Sequence, residues 1–155
     1  MKYYQKVMRP DEKLTFYSTI HWIVYWPAIL CLALAVVAFA AWAALRPQGH
    51  AETAFVAAGM ILALLALVSF LRALLRRMST EIVVTDHRVI FKRGLISRHT
   101  VEMNVSKIET VDVEQSVWGR LFNYGDVVIR GTGGTFEPLI GIQHPLQLRS
   151  AILVG

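Results

Sequence analysis

Ile20–Leu45, IHWIVYWPAILCLALAVVAFAAWAAL, and Ala54–Leu71, AFVAAGMILALLALVSFL, decide the architecture. Neither stretch contains Asp, Glu, Lys or Arg. As a helix rising about 1.5 Å per residue, the first reaches about 39 Å and the second about 27 Å, against a hydrocarbon core of about 30 Å. The first crosses with tilt; the second crosses when Thr53, Ser69 and the aliphatic stem of Arg72 contribute at its ends. A secretory signal has an apolar core of only about 7–15 residues, so the first run reads as a membrane helix rather than a leader. The expectation is a transmembrane helical hairpin.

The flanks set its orientation. Lys2, Lys6, Arg9 and Lys13 precede the first run, and Arg72, Arg76 and Arg77 follow the second; the connection Arg46–Thr53 carries Arg46 with Glu52 beside it. Lys and Arg concentrate on the cytoplasmic side, so both termini are expected there, with the Pro47/Gly49 loop outside. Phe16, Tyr17, Trp22, Tyr25 and Trp26 cluster at the cytoplasmic end and Trp42 near the far end. Tyr17, Trp22, Tyr25, Trp26 and Trp42 are read as membrane-interface anchors. Pro27 marks the start of the first helix or a kink, after an interfacial segment from about Thr15. Ala33, Ala35, Ala38, Ala40, Ala41, Ala43 and Ala44, with Ala57, Ala58, Gly59 and Ala63, allow close helix contact. A pore or proton relay would leave a charge in mid-membrane, and there is none here. Cys31 lies within the first run and reads as packing.

The second half has a different pattern. Residues 1–78 hold eight Lys and Arg against three Asp and Glu; residues 79–155 hold eight of each, so the net +5 belongs to the membrane half. A nucleic-acid-binding domain would carry that charge on its folded surface. Thr80–Thr85 reads as a β-branched strand, Asp86-His87 as a tight turn, and Arg88–Arg93 as its partner. Further strands are expected at Leu95–Asn104, Ile108–Gln115, Asp126–Arg130 and Thr135–Ile142. Ser116–Asn123 reads as one or two helical turns. His144–Val154 reads as an amphipathic helix with Pro145 in its first turn and Leu146, Leu148, Ile152 and Leu153 on its apolar side.

These residues resemble a family. Thr85-Asp86-His87-Arg88-Val89-Ile90, Arg93-Gly94-Leu95-Ile96-Ser97-Arg98, Ile108 to Val113, Gln115-Ser116, Gly119-Arg120, Tyr124-Gly125 and Arg130-Gly131-Thr132-Gly133-Gly134 together look like the bacterial pleckstrin-homology (PH)-like domain, type 2, over about residues 79–152. Many such proteins carry a two-helix hairpin ahead of the domain. The resemblance implies a PH-like barrel of two antiparallel sheets, about seven strands in all, capped by a short C-terminal helix. The six strands above then need one more, expected from division of Leu95–Gln115. The shortness of the terminal helix leaves its plug to be completed by a neighbour. The expected division is 1–19, a cytoplasmic or interfacial segment; 20–78, the hairpin; and 79–155, the PH-like domain.

No constellation for catalysis stands out. Gly131-Thr132-Gly133-Gly134 matches neither phosphate-loop spacing and reads as a hairpin turn. His21, His50, His87, His99 and His144 lack metal-ligand spacing. Asp112 and Glu114 alternate outward on a strand, and Ser116 lacks a nucleophile elbow. The expectation is no cofactor, no metal, no nucleic acid and no enzyme. Candidate anionic-lipid contacts are Arg72, Arg76, Arg77, Lys92, Arg93 and Arg98. The resulting reading is a two-pass protein of the bacterial cytoplasmic membrane. It acts as an interaction or scaffolding module, using an exposed strand edge or the open end of the barrel to bind a membrane complex, as an accessory subunit, or itself. The alternative is an anionic-headgroup sensor, with an enzyme a distant third.

Overall fold

The computed structural model describes residues 12–94, 99–132, 134, 135 and 138–154. Arg98, the first half of the expected strand at Leu95–Asn104, and Lys2, Lys6 and Arg9 lie outside the described residues. The chain divides into two compact units, one of residues 22–75 and one that joins the segment before them to the segment after.

In the first unit, a 3-10 turn at Trp22–Tyr25 leads into helix α1 (Trp26–Leu45), with Pro27 in its first turn, where a missing N–H costs nothing. Arg46 closes α1 in the left-handed conformation, its N–H donating to the Trp42 carbonyl at 3.0 Å. Helix α2 runs from His50 to Ser79. The residues buried on the helices are small: Ala28 and Ala35 on α1, and Gly59, Ala66 and Ala73 on α2. Their seven-residue spacing places one small side chain every two turns along one stripe of each helix. A Cβ on Gly59 would come within 2.8 Å of the tip of the Phe39 ring, so the ring would have to shift to admit any larger residue there. Large side chains such as Leu32, Val36, Val37, Met60 and Leu64 remain exposed. Only 11% of the most apolar window of each helix is buried, whereas the core helix of a soluble protein is mostly buried. By length and composition both helices are able to cross a membrane.

The second unit is a β structure of two antiparallel sheets. Strands β1 (Leu14–Ser18), β2 (Glu81–Thr85), β3 (Arg88–Arg93) and β4 (His99–Asn104) form the first sheet in that order. In the second, β6 (Tyr124–Gly131) pairs with β5 (Ile108–Glu114) on one side, and with β7 (Gly134–Thr135) and β8 (Leu139–Gln143) on the other. The turn between β2 and β3 is held by Thr85, whose hydroxyl accepts from the Arg88 N–H and donates to the Arg88 carbonyl, each at 3.0 Å. Where the first half of the chain leaves β1 it crosses to the second sheet. Ser18 donates through its hydroxyl to the Gln143 carbonyl, the Gln143 N–H donates to Thr19, and the His21 N–H donates to Gly141. This stitching closes one corner of the barrel.

Helix α4 (Pro145–Val154) packs against β1, β2, β5 and β6, strands of both sheets, and buries Pro145, Leu148 and Ile152. With Ile82, Val84, Val89, Val127, Ile129, Leu139 and Ile142, these form the core. Within this chain the helix is thus seated against both sheets through Pro145, Leu148 and Ile152. The extra strands arise elsewhere than expected. Leu14–Ser18 pairs with β2 (Phe16 opposite Val84, Tyr17 opposite Val83), and the segment read as Thr135–Ile142 splits into β7 and β8. Residues 14–21 thus belong to the barrel rather than to an interfacial segment, and the hairpin is an insertion between β1 and β2. Tyr17, read as an interface anchor, is a half-buried strand residue. Trp22, Tyr25, Trp26 and Trp42 lie in the hairpin unit, with Trp22, Trp26 and Trp42 exposed.

Candidate interaction surface

Between β5 and β6 lies a six-residue helix, α3 (Val117–Phe122). Ser116 caps its start, accepting from the Gly119 N–H at 3.0 Å. The Gln115 side-chain amide donates to the carbonyls of Gly119 and Tyr124. Gly119 lies so close to β6 that a Cβ there would sit 2.7 Å from the Tyr124 carbonyl oxygen. Asn123 ends the helix with φ 58°, a conformation asparagine tolerates. It also reaches the start of α4, its side-chain nitrogen 2.7 Å from Nδ1 of His144 and its carbonyl accepting from the His144 N–H. So Gln115-Ser116, Gly119 and Tyr124 fasten one helix to the sheet.

What that helix presents is apolar. Val117, Trp118, Leu121 and Phe122 are 81%, 65%, 69% and 41% exposed; only Gly119 is buried. The Trp118 and Phe122 rings stack, with centroids 6.1 Å apart. Arg120 on the same helix is exposed. Beside its C-terminal end, His21 stacks on Tyr124 at 5.3 Å and hydrogen-bonds the backbone of Phe122. Burial pushes the His21 imidazole below its ordinary pKa, and the positive charge of Arg77 pushes the same way. It is neutral at pH 7.

A second feature is the outer edge of β4. The Val105 N–H donates to the His87 carbonyl at 3.0 Å, which sets the phase of the β3–β4 ladder. In an antiparallel pair the bonds alternate, so His99, Val101 and Met103 bond to β3, and Thr100 and Glu102 direct their amides away from it. No strand pairs that outer edge among the described residues. Glu102 belongs also to an ionic clamp: Arg88 donates to Glu102 at 2.6 Å and to Glu12 at 3.0 Å, and its Nε lies 2.8 Å from the other Glu12 oxygen as an ion-pair contact. Glu12 is buried, and these two charge-assisted bonds tie the chain ahead of β1 to β3 and β4.

The basic residues singled out from the sequence separate. Arg76 and Arg93 meet at one depression with Thr80, Phe91 and Leu139, of about 20 Å³. Lys92, its neighbour on β3, projects from the opposite face. Arg77 acts on His21. Arg72 lies in the hairpin unit. Strand β6 and the pair Gly131–Gly134 form a turn, with Gly131 opposite Gly134.

Two sheets of this order, one corner closed by β1 and one end filled by α4, are the frame of a PH-like barrel. A sequence model of the family described as bacterial PH domain matches residues 15–153. The chain belongs to this family. The match takes in β1 and the hairpin, and so extends well beyond 79–152 on the N-terminal side. Comparison with curated proteins gave no match. PH-like domains are interaction modules for protein or lipid and are generally non-catalytic. Sequence reasoning expected capture at an exposed strand edge or the open barrel end without identifying β4, and it missed α3 as a surface. The signal for α3 was present, as four bulky apolar residues in six between Ser116 and Asn123. The signal for the β4 edge was not, since it depends on ladder phase.

Proposed function

We propose that the protein is a membrane-anchored interaction module whose PH domain captures a protein through the outer edge of β4. The partner is a larger membrane complex, to which this chain is an accessory subunit, or a second copy of the chain. The observation that carries the reading is the row of outward amides on β4, a template on which an extended segment adds as a further strand. The exposed apolar faces of α1 and α2 support anchoring in the bacterial cytoplasmic membrane. Lys13 ahead of the hairpin and Arg72, Arg76 and Arg77 at its end support cytoplasmic termini.

A headgroup sensor is the second reading, favoured by the meeting of Arg76 and Arg93. The depression they line holds about one water molecule, so an anionic headgroup would rest on its rim rather than inside it.

The test is the native mass of the full-length chain in mild detergent, alone and as Thr100→Pro. Proline at Thr100 removes an outward amide and leaves the ladder to β3 intact. A stoichiometric complex or homo-oligomer that Thr100→Pro dissolves supports edge capture. A monomer without partner, or an assembly indifferent to Thr100→Pro, overturns it. In the latter case charge reversal at Arg76 and Arg93, followed by vesicle flotation, tests the sensor.

A further inference from the structure

We infer that α3 is a membrane wedge: its Val117, Trp118, Leu121 and Phe122 side chains lie in the interfacial layer of the bilayer that the hairpin enters. This rests on the anchored reading above.

Three observations converge. The first is chemical. Trp and Phe favour the lipid–water interface, Leu and Val the hydrocarbon just below it, and an arginine beside them meets phosphate. Val117, Trp118, Leu121 and Phe122 are exposed, with Arg120 exposed among them. A helix turned towards water would present polar residues at these positions.

The second observation is position. His21, which bonds the Phe122 backbone and stacks on Tyr124, is followed directly by Trp22, where the apolar span begins. The C-terminal end of α3 is thus held at the residue from which the chain passes into its first apolar helix. A surface so close to that point of departure meets the bilayer before it meets a soluble protein.

The third is rigidity. The Ser116 cap, the two Gln115 amide bonds, the tight seat of Gly119 and the Asn123–His144 link hold the helix in place before it meets lipid. Insertion therefore costs little ordering entropy. Charge agrees: Arg120 on the helix, and Arg76 and Arg77 at the end of α2, suit an anionic surface.

The test uses the full-length chain reconstituted in vesicles of phosphatidylcholine and phosphatidylglycerol, with acyl chains brominated or not. One variant, with Trp22, Trp26 and Trp42 replaced by Phe, keeps Trp118 as the sole tryptophan. A second, with Trp22, Trp26 and Trp118 replaced, keeps Trp42. The wedge predicts that brominated lipid quenches both, Trp118 by about twofold or more, and that aqueous acrylamide quenches Trp118 weakly. Quenching of Trp42 with Trp118 open to acrylamide overturns the wedge and leaves the anchor standing. Trp118 shielded from lipid and acrylamide alike also overturns it, and assigns α3 to a protein interface. If Trp42 itself escapes the brominated lipid, the anchored reading fails, and the wedge with it.

Discussion

Two short helices of the PH domain put their apolar residues to opposite use. Helix α4 buries Pro145, Leu148 and Ile152 at the end of the barrel; α3, similar in composition, buries only Gly119 and leaves Val117, Trp118, Leu121 and Phe122 outside. The difference is one of opportunity. Helix α4 faces a gap between two sheets, which accepts large side chains. Helix α3 lies against the Tyr124 backbone, where there is no room for even a Cβ. Apolar composition states what a helix must hide; the surface it meets decides whether it can be hidden within the chain.

The contrast is sharpest in deletion. Leu148→Ala empties a fully buried position and is expected to cost about 2–5 kcal/mol in thermal unfolding of the detergent-solubilised chain. Equal cost from Leu121→Ala would break the comparison. Gly119→Val attacks the seat of α3 and is expected to cost about 1–3 kcal/mol, since the Tyr124 carbonyl cannot yield as a side chain would. Ser116→Ala, which removes the cap, should cost about 1 kcal/mol and speed hydrogen exchange at the Gly119 amide. Leu121→Ala itself should change stability by no more than about 0.5 kcal/mol, while weakening the lipid contact of α3.

Acid should loosen this corner of the barrel. The folded His21 binds a proton less readily than the free side chain, whose pKa is 6.5. Above that value both states are neutral and stability does not depend on this group. As pH falls below 6.5 the unfolded chain takes up the proton first, and stability declines until the folded pKa is passed. Melting temperatures at about pH 7.5 and about pH 5.5 measure the slope, and His21→Gln should flatten it.

How much of this could be read in advance followed from the range of the interactions. The hairpin was plain, because Ile20–Leu45 and Ala54–Leu71 carry their meaning in uninterrupted composition. Strands β2, β3 and β5 were plain too, since Val111 and Val113 alternate with Asp112 and Glu114, and the Asp86-His87 turn pairs close neighbours. Strand β1 was lost in the aromatic run that follows it, and its partners Val83 and Val84 lie on the far side of the hairpin. Ile20 and His21, read as the start of a span, proved to be a β-bridge to Ile142 and a ring stacked on Tyr124. Positive charge was visible residue by residue, but the meeting of Arg76 with Arg93 needs the fold. The exposure of α3 was hidden for the same reason, because helical spacing names a face without naming its neighbour.

The insertion of the hairpin between β1 and β2 also imposes an order in time. A ribosome makes β1 first, then both apolar helices, and only then the strand that β1 pairs with, Phe16 waiting for Val84. At about 5–20 residues per second that wait is on the order of several seconds. Throughout it the newborn β1 has no partner, and the domain cannot close until both helices have been synthesised. Completion of the barrel thus records that both apolar helices have already been made.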